Sequence, residues 1–333
     1  MKKKIKISYL KKNDIKNFQK FIAHNHKKNH ILARNKKILN WYYFEKKKYN
    51  FLSAKINNKI IGVQGYISLS KFDPKLKNII FLAYWRVRKS QNIAIGLKIF
   101  KTISKNKKFM GVVGIRNELM NYHKWQGFKI GKLNHFFFTN NELNKDKNVL
   151  KKKYNHNFLR LNYKIIEINK SNIKRKINSK IYKYQFPIKS NKFLINRYFK
   201  NPFYDYKIFL VQNDKIELLF IFRIIKINNY KIIKLVDLIG KENSIKYCGN
   251  FIDFILRKFN CIYLDFYNFG VDKKFLKKAG FISRNDTNEI IPDHFEPFEY
   301  KNIDINYAYK SKIKLKNIRI CKSDGDMDRP SLI

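Results

Sequence analysis

Between Val87 and Gly96 the chain reads Val-Arg-Lys-Ser-Gln-Asn-Ile-Ala-Ile-Gly, and two features of that run could do chemistry. Ala94 and Gly96 are small, so main-chain N–H groups stay uncovered where the turn enters a helix, and Arg88 and Lys89 add positive charge beside them. A helix that begins at such a turn aims unpaired N–H donors and the positive end of its dipole at one point. A phosphate or pyrophosphate is the ligand such a point favours.

The flanking elements must hold that turn. Apolar alternation predicts strands over 79–87 and 109–115, and helical spacing predicts helices over 96–104 and 118–125, the second ending at Gly127-Phe128. Upstream, 4–10 reads as a strand, and Asn13-Asp14 opens a helix carrying Ile15, Phe18, Phe21 and Ile22 on one face. Strands over 51–56 and 60–69 complete an antiparallel meander that leads into the turn.

The same residues resemble the GCN5-related N-acetyltransferases, whose acetyl-CoA loop is [Gln/Arg]-x-x-Gly-x-[Gly/Ala] after a strand ending in Val. Val87 and then Gln91, Asn92, Ile93, Ala94, Ile95 and Gly96 occupy those places, with Ala94 where the family usually has Gly. The family's second signature, an aromatic helix ending in Gly-Phe, is matched by Asn121-Tyr122-His123-Lys124-Trp125-Gln126-Gly127-Phe128.

The resemblance implies acetyl-CoA as co-substrate, held by Val87, Arg88, Lys89 and residues 91–96, with Asn117 near the pantetheine arm. It implies attack of an amine on the thioester, which needs an oxyanion-stabilising N–H, a route for the amine proton and an acid for the leaving thiolate. Tyr122 or His123 is the expected acid. His30 and Trp41, on the aromatic segment that borders the acceptor site in this family, are the expected acceptor-binding residues; packing of Trp41 into the core is the competing expectation.

Residues 139–153 turn to Asn, Lys, Asp and Glu, which divides the chain into a domain over 1–140, a linker over 141–153 and a domain over 154–333. The second domain repeats the element order of the first and ends a helix at Ala279-Gly280-Phe281, yet has no Gln-x-x-Gly-x-Gly after Gly240. The expected fold is therefore α/β (α+β): two acetyltransferase-like domains in tandem, each a mixed sheet flanked by helices, the second without the acetyl-CoA loop. The chain as a whole resembles tandem acetyltransferase-fold proteins encoded among bacterial surface-polysaccharide genes, through His30-Ile31-Leu32, Arg197-Tyr198, Asn201-Pro202-Phe203-Tyr204, Phe295-Glu296-Pro297-Phe298 and the run from Asp324 to Pro330. That resemblance implies an amine acceptor on a nucleotide-linked sugar.

Asp237 and Asp265 interrupt apolar strands and call for lysine partners or a substrate. Asp324-Gly325-Asp326-Met327-Asp328 imitates the start of a calcium loop but lacks its later Gly and Glu, so no metal is expected. Lys and Arg number 73 against 24 acidic residues, a net charge of +49 spread along all 333 residues. Such a field attracts acetyl-CoA, nucleic acid and anionic membrane surfaces without specifying any of them. The three cysteines, Cys248, Cys261 and Cys321, are far apart, and no long apolar run or signal segment is present, so a cytoplasmic protein is expected. Two other functions fit the same organisation: an aminoacyl transferase that takes its donor from charged tRNA, and a non-catalytic assembly factor with a decayed cofactor site.

Overall fold

Apolar spacing sets the elements of the first half of the chain, seen in a computed structural model that describes residues 4–91, 94–143, 150–293 and 299–331. Asn92, Ile93 and the 295–298 run lie outside the described residues. β1 (Lys6–Tyr9) leads into α1 (Ile15–Asn25), which buries Ile15, Phe18, Phe21 and Ile22 on the face their spacing predicts. The ring of His30 caps α2 (Ile31–Arg34), and the amide oxygen of Asn35 caps α3 (Lys36–Tyr43). The antiparallel strands β2 (Phe51–Ile56), β3 (Lys59–Ser68) and β4 (Ile79–Val87) follow. Then come α4 (Ala94–Ser104), β5 (Phe109–Ile115), α5 (Asn117–Trp125) and β6 (Lys129–Lys132).

The second half supplies β7 (Asn134–Thr139), β8 (Lys164–Ile168), β9 (Lys207–Gln212), β10 (Glu217–Ile227) and β11 (Tyr230–Gly240). After these come α6 (Gly249–Lys258), β12 (Tyr263–Phe269), α7 (Lys273–Lys278), β13 (Ile282–Ser283), β14 (Asn306–Ser311) and β15 (Ile320–Cys321). The two Gly-Phe helix ends are equivalent in conformation, with φ of +79° at Gly127 and +89° at Gly280. Glycine alone takes that left-handed backbone without a Cβ penalty.

Among the described residues the strands build two large mixed sheets, ordered β1-β2-β3-β4-β5-β14-β6 and β8-β9-β10-β11-β12-β7-β13, with β15 added to β12, besides a small antiparallel ribbon of Phe44–Glu45 with Lys48–Tyr49. In each, one pair is parallel: β4 with β5, and β11 with β12. The halves exchange strands. β14 lies between β5 and β6 of the first sheet, and β7 lies against β12 of the second. A cut at 141–153 therefore separates the chain but not the sheets. One apolar cluster also runs through both halves, joining Phe18, Phe51 and Phe81 to Tyr198, Leu219 and Tyr267.

Candidate active site

The first sheet opens where the loop residues lie. β4 and β5 pair in parallel from Ile79↔Phe109 to Leu82↔Val112 and then part. Opposite β3 the register shifts at Gln64/Gly65, so that Gln64 faces Trp85, Gly65 faces Ala83, and Tyr84 is the extra residue of a bulge. A bulge bends its strand and re-aims a side chain, which turns the end of β4 away from β5. From Ala83 to Val87 the edge of β4 that faces β5 has no strand partner, while β5 from Val113 to Ile115 pairs only with β14.

The result is a cleft of about 590 Å³ between the two strands, walled by Val87 and Trp85 on one side and by Val113, Ile115 and Leu119 on the other. It has an apolar body and an extended, unpaired backbone edge. An extended ligand with amide groups can pair with such an edge as an added strand would.

Gln91 N–H donates to Arg88 O at 3.0 Å, which closes the turn before α4 begins at Ala94. Ala94 is exposed at the helix start, whereas Ile95 and Gly96 are buried. A Cβ on Gly96 would sit 2.6 Å from the Trp85 ring, so its smallness admits the indole against the first turn of α4. Arg88 turns to a separate cationic hollow of about 510 Å³ that it shares with Lys20, His24 and Lys59. Lys89 is exposed. Asn117 Oδ1 accepts from Asn306 Nδ2 at 2.7 Å, which ties α5 to β14 rather than aiming the amide into the cleft.

His123 lines the cleft; Tyr122 does not. The Tyr122 ring packs 4.9 Å from Trp85 and 6.3 Å from Phe100, its hydroxyl buried without a partner and its acidity suppressed by burial to a pKa of about 12. His123 Nδ1 donates to Leu119 O at 2.9 Å, which leaves a lone pair on Nε2. Burial lowers its pKa, so the ring is neutral at pH 7. In this tautomer Nε2 can accept a proton.

His30 lines the same cleft, and Trp41 does not. Trp41 borders another hollow, with Arg34, Lys36 and Phe203, and lies 6.3 Å from Phe72. The His30 ring accepts from Leu32 N–H at Nδ1, 3.2 Å away, so its proton sits on Nε2; burial, with help from Arg329 and His26, drops its pKa to about 3. Spacing gave no signal for the other polar groups here: His26, Gln64, Tyr84 with Arg86, Arg116 with Glu118, and Asp326 with Arg329 come from five separate segments.

Fold comparison places this geometry. A GCN5-related N-acetyltransferase from Anabaena variabilis superposes with a TM-score of 0.57 at 9% identity, over 92% of this chain and 73% of that one. The chain has an acetyltransferase fold. A probable N-acyltransferase from Enterococcus faecalis gives 0.55 at 8% identity over 92% and 73%, and a GCN5-related N-acetyltransferase from Kribbella flavida gives 0.51 at 7% over 93% and 71%. No family model matches the sequence, and no curated protein shows significant similarity to it. Coverage of this order includes both acetyltransferase-like halves.

In the second half the opening is filled by the chain itself. β11 and β12 pair in parallel from Ile233↔Leu264 to Leu235↔Phe266 and then part as β4 and β5 do. Into that gap comes β15, paired with Asn268 and Phe269 of β12, while Ser323 N–H donates to Val236 O and Arg319 Nη1 to Leu238 O on β11. The acetyltransferase fold thus keeps one open cleft and one plugged by its own tail.

The three aspartates that imitate a calcium loop face three different partners. Asp324 lies 3.0 Å from Lys189, which also meets Asp237 at 2.6 Å. Asp326 accepts from Tyr43 Oη at 2.6 Å and from Arg329, and Asp328 accepts from Tyr206 Oη at 2.6 Å and Arg223 Nε at 2.9 Å. Asp265 has Lys234 at 2.8 Å. Buried carboxylates need such partners, and the lysine expectation for Asp237 and Asp265 is met.

Proposed function

We propose that the first half transfers an acetyl group from acetyl-CoA to an amine. The observation that carries this reading is the opening between β4 and β5, whose unpaired strand edge ends at Val87, directly before the turn that leads into α4. Pantetheine is a chain of amides and methylenes that suits the edge, and its pyrophosphate suits the helix start beside Ala94. The hollow shared by Lys20, Lys59 and Arg88 offers positive charge to the adenosine phosphates. His123 Nε2 stands ready to accept the amine proton, which makes the amine nucleophilic toward the thioester carbonyl. A nucleotide-linked amino sugar of surface polysaccharide as the acceptor rests on motif resemblance alone.

The test is titration calorimetry of acetyl-CoA into the protein and its Ala94→Glu variant at moderate salt, with inorganic pyrophosphate as an anion control. Ala94 is exposed, so the variant should fold while placing a carboxylate where the pyrophosphate belongs. Saturable binding that weakens at least about tenfold in the variant supports the proposal. Absent binding, or equal binding to both proteins, overturns it. The net charge of +49 favours a second reading, transfer from charged tRNA, which predicts tRNA binding that acetyl-CoA does not displace.

A further inference from the structure

The far end of the cleft is built from three arginines. Arg86 of β4 is held by Nε donation to Asn25 O at 2.5 Å, Arg116 precedes α5 with Nη2 3.4 Å from His26 Nε2, and Arg329 arrives from the tail. Only Arg329 has a carboxylate, Asp326 at 3.0 Å. Among the described residues no carboxylate pairs with Arg86 or Arg116.

Glu118 at the start of α5 lines the same cleft without an ion pair to Arg86 or Arg116 among the described residues, and the rings between the arginines carry no opposing charge. His26, His30 and Tyr84 form a ring cluster with centroids 4.8, 5.2 and 5.6 Å apart. Burial and the nearby arginines keep both histidines neutral. Because Arg116 can only donate, His26 Nε2 accepts and its proton sits on Nδ1, where it is buried without a partner. The Tyr84 hydroxyl and Gln64 Oε1 are likewise buried without partners, Gln64 being 3% exposed. Against the carboxylates of Glu118 and Asp326 the three arginines leave a positive excess that an anion can take up, and Gln64 Oε1 lacks a donor such as an N–H.

We infer that the acceptor amine carries an acidic group, a carboxylate or a phosphate, received by Arg86 and Arg116 with Arg329 closing the corner, while Gln64 Oε1 takes an N–H of the amine. This rests on the acyltransferase reading for its donor, but the anion site stands on the cleft's own charges. The tail that plugs the second opening thereby supplies a specificity residue to the first.

Three probes share one amine and differ in acidic group: glucosamine, glucosamine 6-phosphate and muramic acid. Calorimetry against the full chain saturated with CoA, and thiol release with acetyl-CoA, are read for each on wild type, Arg116→Gln and Lys314→Gln. Lys314 is exposed on the loop after Ser311, which pairs with Phe109 at the opposite end of β5, so it controls for net charge. One or both acidic probes should bind at least about tenfold more tightly than glucosamine. Arg116→Gln should remove that preference, whereas Lys314→Gln should leave it in place. Preference for the phosphate or the carboxylate names the source. No preference for either acidic probe, or a preference that survives Arg116→Gln, overturns the inference. Failure of acetyl-CoA to bind removes the donor reading separately, and the probes measured without CoA still decide the anion site.

Discussion

Met327 Sδ lies where a side chain on Gly114 would have to be: a Cβ built there falls 2.3 Å from the sulfur, and Gly114 has φ of +81°. The tail is therefore seated on the open end of β5 by the absence of a side chain. Gly114→Ala should destabilise the protein by about 1–3 kcal/mol, combining overpacking with a strained left-handed backbone. Met327→Ala in the same chain should recover the packing part and leave the backbone part, a coupling that a double-mutant cycle in urea measures.

Asp328 holds Tyr206 and Arg223 together in the interior, and although burial opposes its charge, Arg223 and the Tyr206 hydroxyl keep its pKa below the usual carboxylate range. Removing one partner of a buried pair leaves the other charge uncompensated. Asp328→Ala should cost about 3–5 kcal/mol in denaturant unfolding, and Arg223→Met in the same chain should return part of that loss.

His135 should make the protein acid-sensitive. Burial lowers its pKa from 6.5 to about 4, against the opposing pull of Asp265, whose Oδ2 lies 3.3 Å from its Nε2. As pH falls through 6.5 the unfolded chain takes the proton first, so stability is full above that value and is lost progressively down to about 4. The shift corresponds to about 3 kcal/mol. Urea midpoints measured between about pH 7 and 4 should show this slope, and His135→Phe should flatten it.

The neutral His123 and the enclosed Tyr122 make opposite predictions for catalysis. His123→Gln should lower kcat on the order of 10²-fold with acetyl-CoA affinity unchanged, and Tyr122→Phe should leave kcat within about twofold. A large loss in Tyr122→Phe would restore the phenol as the thiolate's acid.

Gly96→Ala should lower stability by about 1–3 kcal/mol through its clash with Trp85, and Trp85→Leu should relieve the clash. Thermal unfolding without ligand reads this packing effect separately from binding.

What the sequence by itself determined is local. The strands and helices from β2 to α5 follow from spacing within one or two turns, as do the left-handed glycines at 127 and 280, because backbone geometry repeats at 2 and 3.6 residues whatever the rest of the chain does. The turn into α4 was legible for the same reason, although the neighbour that requires Gly96 to be small, the Trp85 indole, was not. What only the tertiary structure decided is pairing between segments far apart. Nothing in the periodicity of 134–139 or 306–311 says that each joins the other half's sheet, since an apolar strand is complementary to many edges and the choice depends on which edge is left open. The far end of the cleft is likewise assembled from His26, Gln64, Arg86, Arg116 and Arg329, whose separation along the chain hides that they line one space. Asp324, Asp326 and Asp328, which read as one cluster, are turned to three separate cationic or hydroxyl partners because the tail runs between the halves and presents successive side chains to different walls.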